Sequence, residues 1–119
     1  MKLCVVLNGG LQSCCSVYSP EIVHEIVENW TEGMCEVSVI DAKKEEWKSD
    51  EMASLAIDYF GEYAYPFIYI DDVLINFGHF PTRRELFAVL LQEKRKSVSK
   101  KDIIEVAKKY GFIKEVKDV

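Results

Sequence analysis

Leu3 to Leu7 reads Leu-Cys-Val-Val-Leu and runs straight into Asn8-Gly9-Gly10. A continuous apolar run stopped by turn formers marks a strand buried on both faces, because a strand with one wet face would alternate polar and apolar residues. We read it as the first and central strand of a sheet with layers on either side. The connection that follows, Asn8 to Pro20, carries two glycines that permit a sharp backbone path and two adjacent thiols, Cys14 and Cys15. Open α/β sheets place their chemistry at such strand-to-helix connections.

Beyond this connection, Ser19-Pro20-Glu21 reads as an N-cap, a first helical residue with preset φ, and an acid at the positive end of the helix dipole. Ile22, Val23, Ile26, Val27 and Trp30 then share one helical face. The alternative is a helix from Ser13 kinked at Pro20, with the thiols on its first turn; the later start is preferred. After Thr31-Glu32-Gly33, Cys35 to Asp41 alternates with period two and predicts a second strand, parallel to the first through a right-handed crossover. Ser49-Asp50-Glu51 opens a second helix with Met52, Leu55, Ala56, Tyr59 and Phe60 on its apolar face and Gly61 as its stop.

Phe67 to Ile70 and Val73 to Phe77, joined by Asp71-Asp72, predict an antiparallel hairpin. Thr82-Arg83-Arg84-Glu85 is a capping box, with Pro81 placed to pack on Leu86, and Leu86, Phe87, Leu90 and Leu91 supply the buried face of the helix it starts. Lys94 to Lys101 is a basic linker. A last helix spans about Lys100 to Tyr110, with Ser99 and Asp102 as its cap pair and Gly111 as its stop.

At 119 residues, 49% hydrophobic and 29% charged, the chain has the proportions of one globular domain. No apolar run is long enough to cross a bilayer, and the opening run is too short and poorly flanked for a secretory signal. A net charge of -5 argues against nucleic acid as the main partner, since counterion release needs clustered Lys and Arg. Four cysteines, two of them adjacent, do not form the spacing of a secreted disulfide framework; the expectation is a cytoplasmic protein whose thiols stay reduced.

The order β-α-β-α-β-β-α, with an extra C-terminal helix, resembles the thioredoxin and glutaredoxin architecture: α/β, a four-stranded mixed sheet with helices on both sides. We divide the chain into a thioredoxin-like domain over 1–93 and a basic linker and C-terminal helix over 94–119 packed on or beside it. In that arrangement the third strand starts at the end where the first one finishes, so Pro66 should face the thiol loop. The resemblance implies a cis Tyr65-Pro66 bond lining the site.

A closer resemblance lies in Pro66-Phe67-Ile68-Tyr69-Ile70-Asp71-Asp72, in Gly78-His79-Phe80-Pro81-Thr82-Arg83-Arg84-Glu85-Leu86, and in Cys14-Cys15-Ser16 after the first strand. Together these are similar to the arsenical-resistance operon repressor and arsenic metallochaperone family, up to about Leu91. The resemblance implies a carrier or sensor that ligates a soft metal or metalloid, such as As(III), Sb(III) or Cu(I), through Cys14 and Cys15. Gly9, Gly10, Ser13, Ser16, Tyr65 and Pro66 would line the site. As partners it implies a metal-transport ATPase or other protein acceptor and a homodimer. The chain departs from the family in having Pro20 where the third metalloid-binding cysteine stands, no cysteine pair near the C-terminus, and Asp72 where a turn glycine is usual.

Two other readings stand beside this one. A glutaredoxin-like monothiol oxidoreductase would use Cys14 or Cys15 as nucleophile and Pro66 to shape the substrate groove, although the Cys-x-x-Cys spacing is missing. An interaction module would carry inert thiols. Cys4 and Cys35 read as buried small hydrophobes at the opposite end of the sheet, and His24 and His79 as surface residues. Gly9-Gly10 is not a phosphate loop, since the Lys and Ser/Thr of such loops are absent.

Overall fold

The structure is a computed structural model that describes residues 1–12, 15–92 and 96–111. Its elements are β1 (Lys2–Leu7), β2 (Leu11–Gln12), β3 (Val17–Tyr18), α1 (Pro20–Thr31), β4 (Glu36–Asp41), α2 (Glu51–Phe60), β5 (Phe67–Ile70), β6 (Val73–Phe77), α3 (Arg83–Leu91) and α4 (Lys100–Lys109). A short 3-10 turn, Gly61–Ala64, links α2 to the approach to β5. The main sheet has the order β4-β1-β5-β6, with β1 parallel to β4 and antiparallel to β5, and β5 antiparallel to β6.

Period-two alternation divides the core between the two faces of this sheet. Leu3, Val5 and Leu7 of β1 and Ile68 and Ile70 of β5 point to one side, where Val23 and Val27 of α1 and Leu86 and Leu90 of α3 cover them. Val6, Phe67, Tyr69 and Leu74 point to the other, under Ala53, Ala56 and Phe60 of α2 and Ile103 and Ala107 of α4. Both layers need β1 apolar on each face, which is why its run does not alternate. At β6 a register shift opposite Ile68 and Tyr69 lets Leu74 and Phe77 both join the second layer.

Local signals decide where the helices begin. Ser19 accepts from Ile22 N–H and Pro20 opens α1, so the kinked alternative from Ser13 does not form. Thr82 and Glu85 exchange reciprocal bonds, and so do Ser99 and Asp102, completing two capping boxes. These bonds, from the backbone and hydroxyl of Thr82 and of Ser99, hold the carboxyls of Glu85 and Asp102 below the usual range. Asp50 caps α2 through Ala53 N–H. Asp71 and Asp72 both take positive φ, of 50° and 66°, closing the β5–β6 hairpin as a type I′ turn.

The helical faces differ in detail from the periodicity. Ile22 is 44% exposed and Leu91 62% exposed, because the sheet lies under the middle of α1 and α3 and leaves their outer turns uncovered. Phe87 is half-buried. On α2 the fully buried positions are the small residues Ala53 and Ala56, with Met52, Leu55 and Tyr59 half-buried beside them, since small side chains let the helix lie close on the sheet. The linker runs back against the sheet: Val98 N–H donates to Leu74 O at 2.9 Å. Lys94 lies outside the described residues.

Candidate functional site

The C-terminal ends of β1 and β4, the start of β5 and the end of β6 meet at one edge of the sheet. A groove of about 710 Å³ opens there, bordered by Asn8, Gly9, Gly10, Leu11 and Gln12 on the β1 side and by Lys43 after β4. Tyr63, Tyr65, Pro66, His79 and Phe80 border it from the β5 and β6 side. Its size lies within the range of small-molecule sites.

The connection after β1 is not a plain loop. Leu11 pairs with Tyr18 and Gln12 with Val17, so a two-stranded antiparallel ribbon rises from the groove rim. Cys15 and Ser16 are exposed at its tip, while Ser13 and Cys14 lie outside the described residues. α1 begins only at Pro20, so Cys15 is on the ribbon and not on a helical first turn. Gly10 is required at the ribbon's base: it has φ +82°, and a Cβ there would stand 2.6 Å from Val17 Cγ1 and 2.7 Å from Tyr18 O.

The base is held by a residue that sequence reasoning passed over. Asp41, the last residue of β4, is 1% exposed. Its Oδ1 accepts from Gly9 N–H and Lys43 N–H, each at 2.9 Å, and its Oδ2 from Gly10 N–H at 2.8 Å. Burial alone would raise this carboxyl, but the N–H groups of Gly9, Lys43 and Gly10 together outweigh burial and hold it below the usual aspartate range. The amides that might have resembled an anion-binding loop are therefore already filled by an internal carboxylate. The only signal for this in the sequence is an acid at the end of a strand facing a Gly-Gly turn.

Opposite the ribbon, the Tyr65-Pro66 peptide is cis. Pro66 is buried and Tyr65 half-buried, its ring 5.0 Å from Phe67 and 6.1 Å from Trp47, and burial pushes its phenol pKa up. Gly78 N–H donates to both Ala64 O and Pro66 O, at 2.9 and 3.1 Å, tying the end of β6 to this wall. The structure thus brings Gly9, Gly10, Tyr65 and Pro66 to one groove, with Cys15 and Ser16 on the ribbon that rises from its rim.

The remaining thiols and imidazoles lie elsewhere. Cys4 and Cys35 are half-buried, which corrects the expectation of full burial. Cys4 pairs with Ser38 on the exposed edge strand, which leaves its cover incomplete, and Cys35 precedes that same strand. Burial raises the Cys4 thiol, opposed by a Ser38 hydrogen bond and assisted by the Asp72 and Glu45 charges. His24 is likewise more than a surface residue: Nε2 donates to Val37 O at 3.0 Å and Nδ1 lies 2.7 Å from Glu28 Oε1, so the ring bridges α1 to the open edge of β4. His79 is exposed at the groove.

Among the described residues, no group of three or more His, Cys, Asp or Glu side chains converges to hold a metal ion. Nor is any described helix long and apolar enough to cross a membrane. A smaller cavity of about 270 Å³ under α3 is bordered by Ile68, Ile75, Pro81, Leu86 and Val89 and has no thiol on its wall. No protein-family model matches the chain, and no curated protein and no solved structure matches it.

Proposed function

We propose that the chain is a thioredoxin-like thiol protein that holds a soft metal or metalloid ion through Cys14 and Cys15, as a carrier or sensor resembling the arsenic metallochaperones. The observation that carries this reading is the ribbon: Cys15 is exposed at the tip of a two-stranded hairpin whose base is clamped to the rim of an open groove by Asp41. Thiolates suit soft cations, and an exposed tip allows an ion to pass to an acceptor without unfolding. A pair of thiols leaves a three-sulfur pyramid incomplete, and a second copy of the chain is the donor this reading calls on.

Native mass spectrometry of the reduced protein with arsenite, copper(I) and zinc(II), beside a Cys14→Ser, Cys15→Ser variant, tests it. Binding by the unmodified chain alone supports the reading, and one ion shared by two chains identifies the second copy as donor. Equal binding by both proteins, or by neither, ends it.

One observation favours a second reading. Tyr65 and Pro66 border the groove from whose rim the thiol ribbon rises, as a glutaredoxin-like monothiol exchange would require. There, a Cys14 or Cys15 thiolate attacks one sulfur of a disulfide, forms the mixed disulfide and releases the other sulfur as thiolate. Exchange that persists when the ions fail to bind would favour it.

A further inference from the structure

Charge is unevenly divided along this chain. Residues 94–119 hold nine of its fifteen Lys and Arg but only four of its twenty Asp and Glu. The fold carries that division to the two borders of the main sheet, whose order β4-β1-β5-β6 leaves β4 and β6 as edges about 14 Å apart.

The β4 border is acidic and partly unpaired. Glu36 N–H donates to Met1 O and Ala42 N–H to Leu7 O, so ladder alternation turns residues 36, 38, 40 and 42 towards β1 and the backbones of Val37, Val39 and Asp41 outward. The chain itself covers two of those three carbonyls: His24 donates to Val37 O, and the N–H groups of Lys44 and Glu45 donate to Asp41 O. Val39, between them, has neither its N–H nor its C=O bonded among the described residues. It lies on a groove of about 500 Å³ between α1 and β4, walled by Glu21, Glu25, Glu28 and Glu45 against Lys44. Negative charge beside an open carbonyl suits a lysine ammonium, which has three donors and no acceptor. Two such borders repel each other, so the groove does not pair with its own image.

The β6 border is basic. Val98 N–H donates to Leu74 O, which sets the start of α4 beside β6. There Lys96, Lys100 and Lys101 are exposed, with Asp102 half-buried and bonded to Ser99, and Glu105 exposed one turn on. Lys108 and Lys109 sit in the last turn, where cations suit the negative end of the helix dipole. Lys100 and Lys101 stand at the positive end, so local helix chemistry does not account for them.

We propose that the basic start of α4 in one copy docks in the β4 groove of a second copy. Lys96, Lys100 and Lys101 there meet Glu25, Glu28, Glu45 and the open carbonyl of Val39. One copy cannot make this contact with itself, because the two surfaces lie on opposite borders of its sheet. The contact joins unlike surfaces, head to tail. It is distinct from an ion-sharing pair, which joins thiol to thiol, and it does not depend on the thiol reading.

Sedimentation equilibrium of the full chain tests this. Self-association at low salt should weaken about 10-fold or more in Glu25→Lys with Glu45→Lys and in Lys100→Glu with Lys101→Glu, and should be lost at about 1 M salt, where the screening length is about 3 Å. An equimolar mixture of the two charge-reversed chains should associate as the parent does, since each keeps one native surface and the two reversed surfaces match. Lys100→Glu with Lys101→Glu should keep or raise the urea midpoint, because acids suit a helix N-terminus; lost association is then not lost fold. The Cys14→Ser, Cys15→Ser variant should associate like the parent.

A parent chain that stays monomeric at about 1 mM overturns the proposal. Association that survives either charge reversal does the same, as does a mixture that associates no better than its components. Association lost with the two thiols would belong to the ribbon, and the β4 groove would have no part in it.

Discussion

Two tight turns in this chain each take backbone N–H groups onto an aspartate, and they do so under opposite conditions. At the groove, Asp41 is buried and spends both oxygens on three donors from Gly9, Gly10 and Lys43. At the other end of the sheet, Asp71 is exposed and uses one oxygen on a single donor, Lys2 N–H at 2.9 Å. The first set includes bonds across 32 and 31 residues and holds the base of the ribbon that presents the thiols; the second crosses 69 residues to the start of β1, beside a hairpin that its own strands already hold. The same side chain is thus a structural keystone in one place and a single exposed tie in the other, and burial and valence decide which.

The largest expected effect comes from making one isosteric change in both places. Asp41→Asn keeps an oxygen for Gly9 and Lys43 but turns an NH2 group towards Gly10 N–H, donor against donor, and removes the charge. It should lower unfolding free energy by about 2–4 kcal/mol. Asp71→Asn keeps its one accepting oxygen and its tolerance of positive φ, and should stay within about 0.5 kcal/mol of the parent. Urea unfolding of the two variants measures the gap, and equal losses would erase the distinction. Amide exchange at Gly10 and Gln12 should accelerate in Asp41→Asn alone.

What the sequence reveals of these two turns differs for the same physical reason. The hairpin, the Ser19-Pro20 start and both capping boxes join residues two to four apart, so their chemistry is written within one short window. The Asp41 clamp forms only when a parallel crossover has brought β4 beside β1, and no local pattern encodes that. The ribbon escapes for another reason: its strands are two residues each, too short for any periodicity. Thr31 is similar. It reads as the polar end of α1, yet it is buried because its hydroxyl donates back to Val27 O at 2.9 Å. The groove's position was legible through Gly9, Gly10 and Pro66, while the place of Lys43 beside it depends on where Asp41 holds its backbone.

Acid should sharpen the contrast at intermediate scale. The Asp41 carboxyl is held below its unfolded value, so it binds fewer protons folded than unfolded. Its stabilisation is full above the unfolded aspartate pKa, about 3.9, and is lost as pH falls from there through the lower folded value. Glu21, Glu85 and Asp102, shifted the same way by helix-start hydrogen bonds, lose support as pH falls below the ordinary carboxylate values. The informative quantity is therefore the difference between the parent and Asp41→Asn. That gap should narrow on acidification below about pH 4, where the parent has lost its carboxylate too. A gap that stays constant down to pH 2 would mean that the charge contributes nothing and only the shape of residue 41 matters.

The smallest effect runs in the opposite direction. Asp71 and Asp72 both sit at positive φ, where a side chain other than Asn or Gly is disfavoured, and type I′ turns favour Asn followed by Gly. Asp71→Asn with Asp72→Gly should therefore raise stability by about 0.5–1 kcal/mol, read as a higher urea midpoint with an unchanged slope. The gain comes from relieving the backbone at Asp72, since Asn at 71 still accepts from Lys2 N–H; the single Asp72→Gly variant should carry most of it. At Gly10, where φ is +82° and a Cβ would meet Val17 and Tyr18, no side chain can be added without loss. A turn that can be improved by two substitutions is one that the fold tolerates, whereas the turn beneath the thiols leaves no such room.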